Sequence, residues 1–196
     1  MIPKPHARRH NDGVLERLGR HRISEAVDIV RRNSKGKLWL IGSFVYGTLA
    51  HILYDSKAPK ADFDFVVEKP VLNFVLPQGW KVSMSRFWNP KFTKGDKSID
   101  YVPLENVYSI CSRKLKPTIE NYLKGVPMTV QSIAFDVNES RIIGDVGIYA
   151  VTHKTVRVHN LEFAIYAAQK KNIPLDQMIQ RKAAELGFTP QLTPSQ

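Results

Sequence analysis

The sequence predicts an α+β domain: a mixed β-sheet with flanking helices and a short C-terminal helical extension. Three observations predict it. Apolar runs of strand length recur at 37–41, 61–68 and 98–104, separated by stretches with a helical apolar stripe. Within the second run, Asp62-Phe63-Asp64-Phe65 alternates with a period of two. Two consecutive amphipathic segments, 160–171 and 175–186, follow the last strand.

A chain of 196 residues, 43% hydrophobic and 24% charged, is long enough to bury one core. The reading divides it into a loose basic arm (1–12), a main domain (13–158), a helical extension (159–188) and a loose tail (189–196). No apolar run approaches ~18–20 residues, so no membrane span and no membrane partner are expected. The charged start MIPKPHARRHND lacks an apolar segment behind it, unlike a secretory signal. The single cysteine, Cys111, excludes an internal disulfide framework and a zinc knuckle. A cytoplasmic setting is the expectation. The net charge is +11. Residues 1–37 hold ten Lys/Arg against four Asp/Glu, a surplus that favours a polyanionic partner or, equally, a solvated basic face.

In order, Val14–Arg32 reads as a helix with Leu15, Leu18, Ile23, Ala26, Val27 and Val30 on one stripe. Asn33–Gly36 reads as a turn. Lys37–Ile41 is a doubly buried strand, Tyr46–Tyr54 a short helix, Ser56–Lys60 a loop and Ala61–Glu68 a strand. Val71–Leu76 reads as a short strand or a helical turn. Trp80–Phe87 is a strand, Asn89–Lys97 a Lys-rich turn region, Ser98–Leu104 a strand and Glu105–Leu115 a helix. Thr118 caps a helix that Gly125 stops. Met128–Val137 and Arg141–Ile143 form a hairpin around Asn138-Glu139-Ser140, and Thr155–Val158 is a last strand. Trp80, Trp88 and Phe92 interleaved with Lys81, Arg86, Lys91 and Lys94 fit either base stacking or a strand pair packed in the core, the latter favoured.

The chemistry gathers between Trp39 and Val67. Asp62 and Asp64, two apart on a strand, leave one face while Phe63 and Phe65 leave the other. Two such carboxylates repel unless something neutralises them. Mg²⁺ does so while keeping sites for water and phosphate oxygens. Asp100, flanked by Ile99 and Tyr101, repeats the pattern. Three carboxylates on neighbouring strands can hold two Mg²⁺ (or Mn²⁺) ~3.5–4 Å apart, the clamp of a phosphoryl transfer. Gly42-Ser43, closing a strand and opening a helix, offers backbone N–H groups to an anion. The expected ligand is a nucleoside triphosphate, its β and γ phosphates at Gly42-Ser43 and its α phosphate near the carboxylates.

Taken together, the GS, DFDFVV and IDYVPL stretches resemble the nucleotidyltransferase superfamily that includes DNA polymerase beta. Within it, the chain is most similar to the head domain of tRNA nucleotidyltransferases and bacterial poly(A) polymerases. IGSFVYGTLAHILY resembles that family's GG-x-VRD-x-LLG stretch, ADFDFVVE its DxDxVV strand, and MTVQSIAFDVNESRIIG its FTINALAYD hairpin. GIYAVTHKTVRVHNLEFAIYAAQKK resembles the junction that follows, so the match is collinear over about 38–171.

The resemblance implies that Asp62 and Asp64 bind catalytic Mg²⁺, that Gly42 and Ser43 contact the triphosphate, and that Asp100 is the third carboxylate, helping to activate the acceptor hydroxyl. It implies transfer of an NMP from an NTP (ATP or CTP) to RNA, a protein or a small molecule, with release of pyrophosphate. Gly125-Val126-Pro127 stands where the family has Arg-Arg-Asp, and Gln131 replaces its asparagine. Two helices stand where the family continues into its base-selecting neck and tRNA-gripping domains, so a minimal transferase with a different acceptor is expected. The alternative is an inactive protein of this fold that binds RNA.

Overall fold

The computed structural model of the chain describes residues 20–60, 62–71, 73–85 and 88–192, with side chains from Ile23 onward. The basic arm, the start of the first predicted helix and residues 193–196 lie outside them. Helix α1 (Arg20–Arg32) buries Ile23, Ala26, Ile29 and Val30, the stripe its spacing dictates. Strand β1 (Ser34–Ile41) then runs into helix α2 (Ser43–Tyr54) and strand β2 (Asp62–Pro70). Strands β3 (Lys81–Met84), β4 (Pro90–Lys94) and β5 (Lys97–Pro103) follow, then short helices α3 (Tyr108–Cys111) and α4 (Ile119–Lys124). Strands β6 (Ala134–Asp136) and β7 (Arg141–Ile143) form the expected hairpin, and helix α5 (Asp145–Thr152) leads to β8 (Thr155–Arg157). Helices α6 (Leu161–Lys170) and α7 (Leu175–Leu186) precede β9 (Thr189–Gln191).

Among the described residues, seven strands make one sheet in the order β3-β4-β5-β2-β1-β6-β7. The pairings are antiparallel except β2 with β5, which run parallel. The fold is thus α+β with a mixed sheet. One face packs Phe63, Phe65 and Val67 against α1 and α2, in a core that continues into α5, α6 and α7. Each phenylalanine buried there contributes roughly 1.5–3 kcal/mol. The other face buries Trp39, Ile41 and Val66 under α3 and α4. Among the described residues, no helix is long and apolar enough to cross a membrane.

Several elements differ from the sequence reading. Of the turn expected at Asn33–Gly36, Asn33 is a turn residue, while Ser34–Gly36 open β1, which accommodates a register shift between Lys35 and Leu38. Val71 and Asn73–Leu76 adopt neither strand nor helix. Instead Asn33, fully buried, clamps this segment: its Nδ2 donates to Ile29 O (2.8 Å) and Val75 O (2.9 Å), and its Oδ1 accepts from Val75 N (2.6 Å). Removing a buried group that leaves such partners unpaired is expensive. Asn33→Ala is expected to cost about 2–4 kcal/mol, read as a lower denaturation midpoint with an unchanged slope.

The Lys-rich turn region is strand β4, joined to β5 across Gly95-Asp96; Phe92 points into the core and Lys91 and Thr93 point the other way. The predicted helix over Glu105–Leu115 is broken into a 3-10 turn (Leu104–Asn106) and α3, with Val107 extended between them. The tail is not loose throughout, since Thr189–Gln191 pairs in parallel with β8. Helix α5 has no counterpart in the reading, because Gly144 and Gly147 look like breakers there. Gly147 serves close approach instead: a Cβ would lie 2.5 Å from Ser132 O.

Candidate active site

The antiparallel pairing of β1 with β2 sets Ile41 opposite Asp64, so the C-terminal end of β1 falls beside the carboxylates. The next residue, Gly42, has φ 76° and ψ −158°, and caps α2 with no side-chain hydrogen bond. The first bond back to it is Val45 N to Gly42 O at 3.2 Å, leaving the N–H groups of Ser43 and Phe44 ahead of the helical ladder. A Cβ at residue 42 would overlap Asp64 Oδ2. Glycine is therefore required twice over, by its positive φ and by the carboxylate lying on it.

Asp62 and Asp64 leave the sheet face opposite Phe63 and Phe65, as the alternation dictates. The parallel register of β2 and β5 sets Asp64 directly beside Asp100, and Asp62 beside Ser98. All three aspartates thus lie on adjacent strands of one face, next to Gly42-Ser43. Asp62 is exposed, while Asp64 and Asp100 are partly buried. Ser98 Oγ donates to Asp62 Oδ1, and Lys91 Nζ on β4 contacts Asp100 Oδ2 at 3.1 Å.

Electrostatics single out Asp64. Burial first, then the neighbouring charges of Asp100 and Asp62, push its carboxyl up to about 7. Lys91 opposes this and is outweighed. The acidic centre is short of positive charge, and carboxylate oxygens from two strands are the donor chemistry of a hard divalent cation. Among the described residues, no three His, Cys, Asp or Glu side chains are drawn together into a ready-made metal cluster. The residues fit such an ion in kind, with Ser98 and Lys91 holding two of the carboxylates.

A cleft of about 510 Å³ opens from Gly42 between α4 and α6, a size typical of small-ligand pockets. Tyr108, Tyr122, Phe163 and Tyr166 line it, and Lys170 and Lys171 stand at the C-terminal end of α6. Tyr108 and Tyr166 stack with ring centroids 4.6 Å apart, and Phe163 meets Tyr108 edge-on at 6.0 Å. Burial chiefly, then the charge of Asp64, raise the Tyr122 phenol above its ordinary value, which ties this wall to the carboxylates. Gly125, Val126 and Pro127 also line the cleft, so its wall there is apolar. A larger cleft, about 670 Å³, is lined by Lys37, Trp39, Glu68, Asp136 and Arg141 on the same sheet face. Its lining includes none of the three aspartates, nor Gly42 or Ser43.

Asp62, Asp64, Asp100, Gly42 and Ser43 thus fall in one place. Ser98 and the aromatic lining of the cleft have no place in the sequence reading, which names Lys91 only in the aromatic-plus-basic interval and not beside Asp100. Ser98 lies two before Asp100, in the strand's alternation, and is a signal that could have been read. Tyr108 and Tyr166 meet only through the tertiary fold.

No protein-family model and no curated protein sequence matches the chain. Solved structures do match in fold. A CCA-adding enzyme solved with ATP is 19% identical over 91% of this chain and 41% of its own, with a TM-score of 0.57. A tRNA-processing enzyme in an apo form is 15% identical over 97% of this chain and 45% of its own, with a TM-score of 0.53. The Bacillus stearothermophilus CCA-adding enzyme with CTP is 18% identical over 98% and 42%, with a TM-score of 0.52. The chain therefore spans less than half the length of these structures. The chain shares the mixed-sheet α+β fold of the matched part of these structures.

Proposed function

We propose that the chain is a metal-dependent nucleotidyltransferase that moves an NMP from ATP or CTP to an acceptor hydroxyl. The observation that carries this reading is the meeting of Asp64, Asp100 and Gly42 at one point, beside an uncapped helix start. Ser43 and Phe44 N–H groups hold the β and γ phosphates, where the helix start favours negative charge. The cleft takes the nucleoside, its base against the Tyr108–Tyr166 pair. Asp62 and Asp64, with Asp100, would hold Mg²⁺, which would supply positive charge to the reacting phosphate. The acceptor oxygen attacks the α phosphorus in line, the bond to the β-phosphate oxygen breaks, and pyrophosphate leaves. Asp100 accepts the acceptor's hydroxyl proton, positioned by Lys91. Catalysis rests on positioning and charge neutralisation.

Incubation with ATP or CTP labelled at the α phosphate, Mg²⁺ and a mixture of RNA ends tests the proposal, with Asp64→Ala as control. Label transfer that Asp64→Ala abolishes is expected; transfer that survives the substitution contradicts the site assignment.

One observation favours a second reading, a non-catalytic RNA-binding protein of the same fold: Lys91 already pairs with Asp100, and Ser98 with Asp62. It requires RNA binding that is steeply salt-dependent and indifferent to divalent ions, with no label transfer to any acceptor.

A further inference from the structure

The row of residues that carries the site extends one strand beyond the aspartates. Asp100 stands opposite Asp64 across the parallel β2–β5 pair, and Asp64 stands opposite Ile41, the residue before Gly42. On the other side, the antiparallel register of β4 and β5 sets Lys91 opposite Asp100. In the strand order β4-β5-β2-β1, Lys91, Asp100, Asp64 and the Gly42 turn therefore form one row across a single face. Directly opposed side chains on a sheet start about 4.5–5.5 Å apart at Cβ. From there the Lys91 ammonium reaches Asp100 Oδ2 at 3.1 Å.

The backbone keeps Lys91 at this end of the row. Its neighbours on β4, Pro90 and Phe92, are buried, and Asn89, just before the strand, accepts at Oδ1 from Asn106 Nδ2 at 3.1 Å. The charge of Lys91 also acts on Asp64. As a stabiliser the ion pair adds little, because its two side chains are 35% and 32% exposed. Its effect on the acidic centre is larger. Asp62 accepts from Ser98 Oγ, a neutral donor, whereas Asp100 already holds a full positive charge. In the free centre, three carboxylates against one ammonium leave two negative charges, which one divalent ion balances and two would exceed. The ammonium is a charge-assisted donor fixed to the fold, and its presence does not depend on ion concentration.

We infer that Lys91 stands in place of a second divalent ion, so that the centre takes one Mg²⁺, at Asp62 and Asp64, while the ammonium serves Asp100. Lys91 is then a positioning residue: it neutralises and orients the carboxylate that accepts the acceptor's proton. This role rests on the metal-dependent reading proposed above, and a count of bound ions separates the failure of one from the failure of the other.

The test counts Mn²⁺, a paramagnetic substitute for Mg²⁺, on the full chain with one equivalent of a nonhydrolysable ATP analogue, by equilibrium dialysis and electron paramagnetic resonance. Asp64→Ala supplies the background. Above it, the parent is expected to retain one Mn²⁺ per chain with an unbroadened spectrum. Lys91→Met is expected to retain two, and ions about 3.5–4 Å apart broaden each other's lines. Lys91→Arg keeps the charge and is expected to retain one. Two Mn²⁺ on the parent overturn the inference without reference to any variant, and label transfer that Asp64→Ala abolishes then leaves the metal-dependent reading standing. A count of one on a Lys91→Met protein that melts as the parent does also overturns it. No Mn²⁺ on the parent overturns the inference and the metal-dependent reading together.

Discussion

Asp64→Asn is expected to abolish label transfer, by about 10³-fold or more, while making the metal-free protein more stable. The loss follows because this side chain stands beside Asp100 and over Gly42, where the proposed reaction would develop charge at the phosphate. The gain follows from the electrostatics. The folded protein raises the Asp64 carboxyl from its ordinary 3.8 to about 7, so folding disfavours the charged form. Below about pH 4 the side chain is neutral in both states and there is no penalty. The penalty grows between about pH 4 and 7, where the unfolded chain loses the proton first, and it is complete above 7. At about pH 8, Asp64→Asn is expected to gain about 2 kcal/mol, discounted for coupling to Asp100, and so about 4–8 °C in midpoint. At about pH 4 the variant and the parent are expected to melt together. Thermal denaturation across this range checks it; a variant less stable than the parent at pH 8 contradicts the frustrated centre.

Gly42→Ala is expected to be the more damaging substitution for nucleotide binding. Alanine at φ 76° is strained, and its Cβ occupies the place of the Asp64 carboxylate oxygen. The side chain must swing away, which spoils the carboxylate pair and narrows the approach to the Ser43 and Phe44 N–H groups. A stability cost of about 1–3 kcal/mol is expected, with a fall in transfer of about 10²-fold or more. Ser43→Ala leaves the backbone donors in place and is expected to lose far less. Comparison of KM for ATP and CTP among the three proteins checks this. Gly42→Ala binding nucleotide as the parent does would remove Gly42 from the site.

The legible parts of this fold are those that local rules govern. Asp62 and Asp64 against Phe63 and Phe65 follow from a period of two, and the structure keeps that division. Thr118 caps α4 as expected, its Oγ1 accepting from Asn121 N, and Gly125 ends it. Strand β4 was hidden because five residues hold one inward side chain of note, Phe92, among lysines. The Gly95-Asp96 pair that turns it into β5 was a hairpin signal overlooked. Helix α5 was hidden because Gly147, a helix breaker by propensity, is demanded by contact with Ser132. The buried Asn33 clamp read as turn chemistry, since polar residues at a helix end usually face water.

The site divides the same way. The three aspartates and Gly42-Ser43 could be named from order and alternation, but which of them touch could not. The parallel register that sets Asp64 beside Asp100 comes from the crossover of β3 and β4 between β2 and β5. Lys91 reaches Asp100 across the antiparallel β4–β5 hairpin, whose register places the two residues opposite each other. The aromatic cleft joins α3, α4 and α6, segments up to about sixty residues apart, and no spacing rule links them.

Asp64 and Gly42 are proposed to form one site for Mg²⁺ and a nucleoside triphosphate. Thermal denaturation at about pH 8 with Mg²⁺ and a nonhydrolysable ATP or CTP analogue, alone and together, tests it on the parent, Asp64→Asn and Gly42→Ala. Joint stabilisation of the parent beyond the sum of the two ligands, absent from both variants, is the predicted result. Stabilisation that is equal in all three proteins, or none in the parent, would contradict it.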